Sequence, residues 1–242
     1  MVLGLKWRMA LYQAKALNQL NDGQYGSQPQ RNAIDPVMLE ELQLELSRAT
    51  RRTLIQTNYD AASCYDLIIP NFAMLASRQF GVHQSTTLLN ACTLHSAQYH
   101  IRTELGLSST SYHHKEEMPI YGTGQGSGNS PMIWCFISSV LFDCFEATAH
   151  QVTHCNPDRT NFMYIHMIGF VDDSNGQVNS FLRDESPEEL NRLIRKAEYS
   201  ATTWSNLLSA TGGSLELSKC SYHIANWQFS MQGAPVLGSV KS

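Results

Sequence analysis

Apolar positions recur at helical spacing over residues 1–20, where Leu3, Trp7, Leu11, Ala14, Leu17 and Leu20 share a face and Lys6, Arg8 and Lys15 take others. This predicts an amphipathic helix, followed by a Gly/Gln/Ser/Pro loop from Asn21 to Gln30. Asp35-Pro36 supplies an N-cap and first-turn proline for a second helix reaching about Arg48. Arg48, Arg51 and Arg52 then fall where cations complement a helix dipole, so capping is favoured over phosphate contact for this basic cluster. Thr53 to Tyr59 is β-branched and aromatic enough for a strand, and it delivers Asp60 to its end. Pro70 opens a helix that Gly81 closes, and Gln84 to Glu104 reads as a longer helix with Leu88, Leu89, Ala91, Cys92, Leu94 and Tyr99 inward.

A loop with glycines at 122, 124, 126 and 128 permits close backbone approach, and Met132 to Ala149 follows as a largely buried helix. Residues 162–170 read as one buried strand ending in Asp172-Asp173, with Ser174-Asn175-Gly176 as a turn and a second strand from Gln177 to Phe181. Ser186-Pro187-Glu188-Glu189 is a capping box with proline at the first helical position. Leu190, Leu193, Ile194, Ala197, Ala201, Trp204, Leu207 and Leu208 trace the buried face of that helix, which Gly212-Gly213 ends. Leu215 to Cys220 and Tyr222 to Phe229 alternate as strands do.

Two adjacent aspartates repel and cost stability unless a cation or donor network offsets them. Taken alone, Asp-Asp-Ser-Asn-Gly is more often a polar turn than a metal site. Asp60 at another strand end changes that balance, because neighbouring strands of one sheet can bring these carboxylates together. Hard Mg²⁺ takes one or two carboxylates plus substrate phosphates, which suits phosphoryl or nucleotidyl transfer.

With 242 residues, 43% hydrophobic and 16% charged, the chain is expected to bury a sizeable core. Its net charge of -4 provides no global attraction to nucleic acid, so such binding must rest on a local surface. Six scattered cysteines without C-x-x-C pairs, in a chain that starts without a signal-peptide pattern, fit free thiols and an intracellular location. The longest apolar run, Met132 to Phe142, is too short to span a bilayer, so no membrane segment is expected.

These residues resemble reverse transcriptases of the non-LTR retrotransposon kind. Asp60 to Asp66 with Tyr65 looks like motif A, Gln125-Gly126 with Ser130-Pro131 like motif B, Phe170-Val171-Asp172-Asp173 like motif C, and Gly213-x-Leu215-x-x-x-Lys219 like motif D, in the family's order. The resemblance implies an α+β fold: a right-hand polymerase palm, antiparallel sheet with packed helices, plus partial fingers and no thumb. Residues 1–52 would be partial fingers, 53–81 the motif A region, 82–117 a helical insertion, and 118–242 the palm with motifs B, C and D.

It further implies that Asp60, Asp172 and Asp173 hold Mg²⁺, or Mn²⁺ in its place, with the Ala61 carbonyl as a further ligand. Lys219 would serve the departing pyrophosphate, Tyr65 would be a steric gate against ribose, and Asp66, Gln125, Gly126, Ser130 and Pro131 would lie along the nucleotide. The implied partners are an RNA template, a DNA primer, deoxynucleoside triphosphates, and a partner chain supplying thumb or fingers; no membrane is implied. Cys64, and Ser127-Gly128-Asn129 between Gly126 and Ser130, depart from the usual pattern. Basic finger residues expected upstream of Gln24-Tyr25-Gly26 are not evident, so the chain as given is expected to fold and bind metal yet copy RNA poorly.

An RNA-directed RNA polymerase and a truncated, inactive palm that binds nucleic acid or a partner chain remain as alternatives. Against the former, Val171 stands where Gly precedes the acid pair in those polymerases. A zinc site at His150, His154 and Cys155 lacks a fourth ligand, and His113-His114 is weaker still.

Overall fold

The computed structural model describes residues 2–124, 126–180 and 186–238. Six helices run α1 Val2–Ala16, α2 Ile34–Thr50, α3 Pro70–Gln79, α4 Gln84–Ser96, α5 Ser130–Thr148 and α6 Pro187–Ala210. The strands are β1 Leu54–Ala62, β2 Gln98–Thr103, β3 Gly106–His113, β4 Val152–Cys155, β5 Phe162–Ile165, β6 Met167–Phe170, β7 Asp173–Asn179, β8 Ser214–Leu215, β9 Ser221–Ala225, β10 Trp227–Phe229 and β11 Pro235–Leu237. The fold is α+β.

The central antiparallel sheet runs β6-β7-β1, with β9 and β8 sharing the far edge of β1. Ile55, Tyr59 and Val178 belong to one face by strand alternation. That face packs on α5 and α6, where Trp204 meets the rings of Tyr59, Phe142 and Phe145. Asn58, Asp60, Asp173 and Asn175 belong to the other face, against which α2 lies.

Helix α5 carries the core: Ile133, Cys135, Phe136 and Ile137 are fully buried. Its length and composition would suffice to cross a membrane, contrary to the reading of 132–142 as too short. Most of its surface is instead buried against α1, α3 and α6, as in a core helix of a folded domain. α6 is capped as its sequence predicts, the Ser186 hydroxyl accepting from the Glu189 N–H.

Several expectations change. Residues 84–104 do not form one helix: α4 stops at Ser96 and the chain continues into the β2–β3 hairpin. Leu88 and Leu89 are over half exposed and Cys92 is exposed, while Thr87 and Asn90 are the buried members of α4. α2 begins one residue before Asp35, and Asp35 sits in its first turn accepting from the Asn32 N–H, so it is not the N-cap. Residues 162–170 divide into β5 and β6, which pair with different strands. Residues 216–220 form a turn rather than a strand, with Lys219 N–H bonded to Glu216 O.

The largest correction concerns the hairpin. Ser174-Asn175-Gly176 is inside β7, paired residue for residue with β1, and the second strand begins at Asp173, not Gln177; Phe181 lies outside the described residues. Phe170 pairs with Asp173, so the turn is Val171-Asp172. Val171 has φ 60°, a left-handed conformation that costs a β-branched residue about 1–3 kcal/mol.

Buried Gln24 and Trp134 hold this turn. Gln24 Oε1 accepts from the Val171 N–H (3.3 Å), and Gln24 Nε2 and Trp134 Nε1 both donate to the Val171 carbonyl. Gln24 is placed by the 21–30 loop, which adds itself to the edge of β6 through Tyr25 N–H to Gly169 O (2.7 Å) and Gly169 N–H to Gly23 O (2.8 Å). Gly26 closes the strap: a Cβ there would stand 2.2 Å from the Val171 nitrogen. Gly26→Ala is therefore expected to destabilise the fold by about 2 kcal/mol, in the range of overpacked sites. Urea unfolding measures this, and an unchanged midpoint would mean that the loop is not seated against the turn.

Candidate active site

Pairing along β1 and β7 sets Asp60 directly opposite Asp173, and Asp172 occupies the turn beside them. Opposed residues on an antiparallel pair have Cβ atoms about 4.5–5.5 Å apart, so two like charges face each other. Lys219 partly offsets them, its Nζ 3.4 Å from Asp60 Oδ1. Local backbone explains the approach, because Glu216 N–H donates to the Asp60 carbonyl (2.9 Å) and the turn carrying Lys219 closes on Glu216.

The electrostatics follow from this crowding. Partial burial, then the Asp172 and Asp60 carboxylates, raise the Asp173 pKa above its ordinary value, and Lys219 pulls it back in part. Burial pushes the Cys64 thiol up to about 12, helped by Asp172, Asp66 and Asp173. Cys64 is thus a buried, protonated neighbour of the acids and a poor nucleophile. Tyr65 is likewise raised to about 12, by burial first and then by Cys64 and Asp172.

The other expected site residues are distributed around this centre. The half-buried Tyr65 ring packs edge-on against Trp134, at 6.4 Å between centroids and 63° between planes. Asp66 is exposed, and Ala61 is buried and paired with Leu215 of β8. The glycine loop is stapled to the turn after β1: Thr123 N–H donates to Tyr65 O (2.8 Å) and Gly122 N–H to Ile68 O (2.8 Å). Gly122 is required there, with φ 99° and a would-be Cβ 2.9 Å from both Asp66 Cα and Tyr65 O.

Ser130 is buried and its hydroxyl turns to the loop carbonyls of Thr123 (3.0 Å) and Gly124 (2.7 Å), so its observed role is to shape the loop. Pro131 is exposed in the first turn of α5, and Gly126 has open space where a Cβ would be. Gln125 lies outside the described residues. Sequence reasoning missed Gln24 and Trp134 as supports of the acid turn. Their signal would have been a buried-capable amide and an indole with no other assigned partner.

Asp60, Asp172 and Asp173 offer hard oxygen donors that fit Mg²⁺. Among the described residues no group of three or more His, Cys, Asp or Glu is placed to hold a metal ion as the side chains stand, and that includes these acids. A zinc site finds no support: His154 Nε2 bonds Gln43 Oε1 (2.7 Å), Cys155 Sγ accepts from Arg52, and the His150 ring lies by Tyr199. His114 accepts from the Ile120 N–H. Arg48 pairs with Glu45, Arg51 stacks on Phe229 and Arg52 donates to Thr153 O, so these side chains do not cap the α2 carbonyls as expected; the C-terminus of α2 is closed by backbone N–H groups, that of Arg51 to Arg48 O and that of Arg52 to Ser47 O.

Comparison with solved structures gives the fold a reference. The chain is similar to apo telomerase from Candida tropicalis truncated from its C-terminal domain, at 11% identity and TM-score 0.53, over 92% of this chain and 40% of that one. It is also similar to telomerase from Candida albicans in complex with a TWJ fragment of telomeric RNA, at 10% identity and TM-score 0.55, over 91% of this chain and 34% of that one. The corresponding RNA complex from Candida tropicalis gives 12% identity and TM-score 0.52, over 90% and 33%. The fold is therefore reverse-transcriptase-like. The chain spans only a third to two fifths of these structures. No family model and no curated protein matches it by sequence.

The raised Asp173 pKa yields a stability test. In the unfolded chain this carboxyl titrates near its ordinary value and in the folded chain higher, so between the two the folded state binds more protons. Stability from this group falls as pH rises through that window, and the loss is complete above the folded value. Asp173→Asn should raise the thermal midpoint at pH 7, the gain vanishing below the ordinary aspartate range of about 3.9. A pH-independent gain would contradict the crowded-carboxylate account.

Proposed function

We propose that this chain is the palm of an RNA-directed DNA polymerase, of retroelement kind, catalysing template-directed nucleotidyl transfer. The observation that carries the reading is the opposition of Asp60 and Asp173, beside Asp172 and with Lys219 on Asp60, within a reverse-transcriptase-like fold. The RNA bound in two of the neighbouring telomerase structures supports a nucleic-acid partner.

In this reading Asp60, Asp172 and Asp173 hold Mg²⁺, with the Ala61 carbonyl nearby. Bound there, Mg²⁺ would lower the pKa of the primer 3′-hydroxyl and neutralise charge on the triphosphate. The hydroxyl would lose its proton to solvent water, and its oxygen would attack the α-phosphorus as the bond to pyrophosphate breaks. Lys219, 65% exposed and so free to swing, donates a proton to the leaving pyrophosphate or holds its charge. The Tyr65 ring is buttressed by Trp134, and its position five residues after Asp60 suits a gate that disfavours a ribose 2′-hydroxyl. Asp66, Gly126 and Pro131 would flank the path of the incoming nucleotide, the role the resemblance also gives Gln125, and Ser130 keeps the loop in shape.

A second reading, an inactive palm that binds nucleic acid or a partner chain without turnover, draws on the net charge of -4 and on the use of Arg48, Arg51 and Arg52 within the fold, which leave few cations for a triphosphate or a duplex. Few phosphate contacts mean a weak, salt-sensitive hold on duplex. Primer extension on an RNA template with Mg²⁺ at low salt separates the two. We expect short, deoxynucleotide-selective extension that Asp172→Asn reduces by about a hundredfold or more, and a raised ribonucleotide share in Tyr65→Ala. Extension indifferent to Asp172→Asn would overturn the polymerase reading, and duplex binding without extension would favour the second.

A further inference from the structure

Helix α2 turns its polar side inward and its apolar side to solvent. Gln43 and Ser47 are buried, the Gln43 amide oxygen bonded to His154 Nε2 (2.7 Å) and the Ser47 hydroxyl accepting from the Trp227 indole N–H (2.9 Å). On the outward side Ile34, Met38 and Leu42 follow at i, i+4 and i+8 with Val37 beside them, each between 56% and 65% exposed. Helical spacing puts the exposed Glu41 and Glu45 on that side as well. The acidity extends to the cleft of about 380 Å³ beside Asp173, which Val37 and Glu40 help to line and where no Lys, Arg or His is among the described lining residues.

Helix α1 carries the counterpart. Opposite its buried Trp7, Ala10, Leu11 and Ala14 it exposes Leu5, Met9 and Tyr12 at i, i+4 and i+7. Exposed Lys6 and Arg8 flank this stripe and enter no ion pair among the described residues, and α1 contains no Asp or Glu. Contiguous apolar surface of this kind marks an interaction site. Leucines are also exposed on α3 and α4, but neither helix has a carboxylate, and Tyr199 is the exposed large apolar residue among those described on α6. Among the described helices, α2 is therefore the one that joins an apolar stripe to the charge opposite to that of α1. The two stripes do not cover each other within one chain, since α1 packs on α4 and α5 while α2 lies on the sheet face away from α5.

We propose that α1 of one copy of this chain docks on α2 of a second copy. Leu5, Met9 and Tyr12 would lie along Ile34, Met38 and Leu42, with Lys6 and Arg8 against Glu41 and Glu45. Apolar burial supplies the hold, and charge decides which stripe meets which. Because the two surfaces differ, a bound pair still presents one α1 and one α2, so the contact adds copies head to tail instead of stopping at two. A single helix pair is small beside a standard interface, which sets the expected Kd on the order of 10 µM.

Sedimentation of the 242-residue chain over about 1–200 µM, in EDTA and without nucleic acid, tests this independently of polymerase activity. The average mass should rise with concentration past that of a dimer. Met9→Glu and Met38→Glu each place a carboxylate in one stripe at an exposed position, and each variant alone should stay monomeric. Mixed one to one they should form a dimer and nothing larger, because each supplies the face that the other lacks and both leftover faces carry the added carboxylate. Leu5→Gln and Leu42→Gln, also at exposed positions, decide in their place if either variant fails to fold. Lys6→Glu combined with Arg8→Glu should weaken the association by about tenfold or more. A chain that stays monomeric throughout the range, either single variant associating as the unaltered chain does, a mixture that remains monomeric or grows past a dimer, or no effect of the charge reversal would each overturn the proposal.

Discussion

The two-residue turn at Val171-Asp172 depends on a set of hydrogen bonds reaching it from distant parts of the chain. A β-branched residue does not hold φ 60° unaided, and here Gln24 binds both its N–H and its carbonyl while Trp134 binds the carbonyl again. Shortening the hairpin to this turn puts Asp172 at the tip and Asp173 at the first strand position. One residue of slip would send Asp173 to the face packed on α5 and α6, away from Asp60. The strap, the core helix and the strained valine therefore act together to fix the register on which the acidic site rests.

The same groups link the remaining parts of the site. Trp134, whose indole N–H holds the turn, also presents its ring to Tyr65, and the Tyr65 carbonyl anchors the glycine loop through Thr123. The result is a ring of backbone and side-chain contacts around three carboxylates. Those carboxylates are left under-compensated, with one lysine at 3.4 Å and no basic residue among those lining the cleft beside Asp173. A site poised with excess negative charge is unfavourable for stability and favourable for a divalent cation.

Where local chemistry punctuates the chain, the sequence was readable. Pro70, the Ser186 capping box and Gly212-Gly213 mark helix ends where they occur. The placement of Asp60 on one strand and of Asp172 in the turn of a neighbouring hairpin was legible for the same reason, whereas Asp173 belongs to the strand that follows the turn. The β2–β3 hairpin was not, because Ile101 and Leu107 are over 60% exposed and leave no buried alternation to read. Ser174-Asn175-Gly176 carries turn chemistry, yet pairing with β1 along its length buries all three and overrides that preference. A left-handed valine is disfavoured by its own backbone, so only tertiary partners reveal it.

The central claim is that Asp60, Asp172 and Asp173 act as one divalent-cation site. Anomalous diffraction from crystals soaked with Mn²⁺ and a deoxynucleoside triphosphate tests it most directly. The account predicts a manganese peak between Asp60 and Asp172, beside Asp173, with Lys219 moved off Asp60 toward the phosphates. Manganese bound elsewhere, or no peak while Lys219 stays on Asp60, would contradict it.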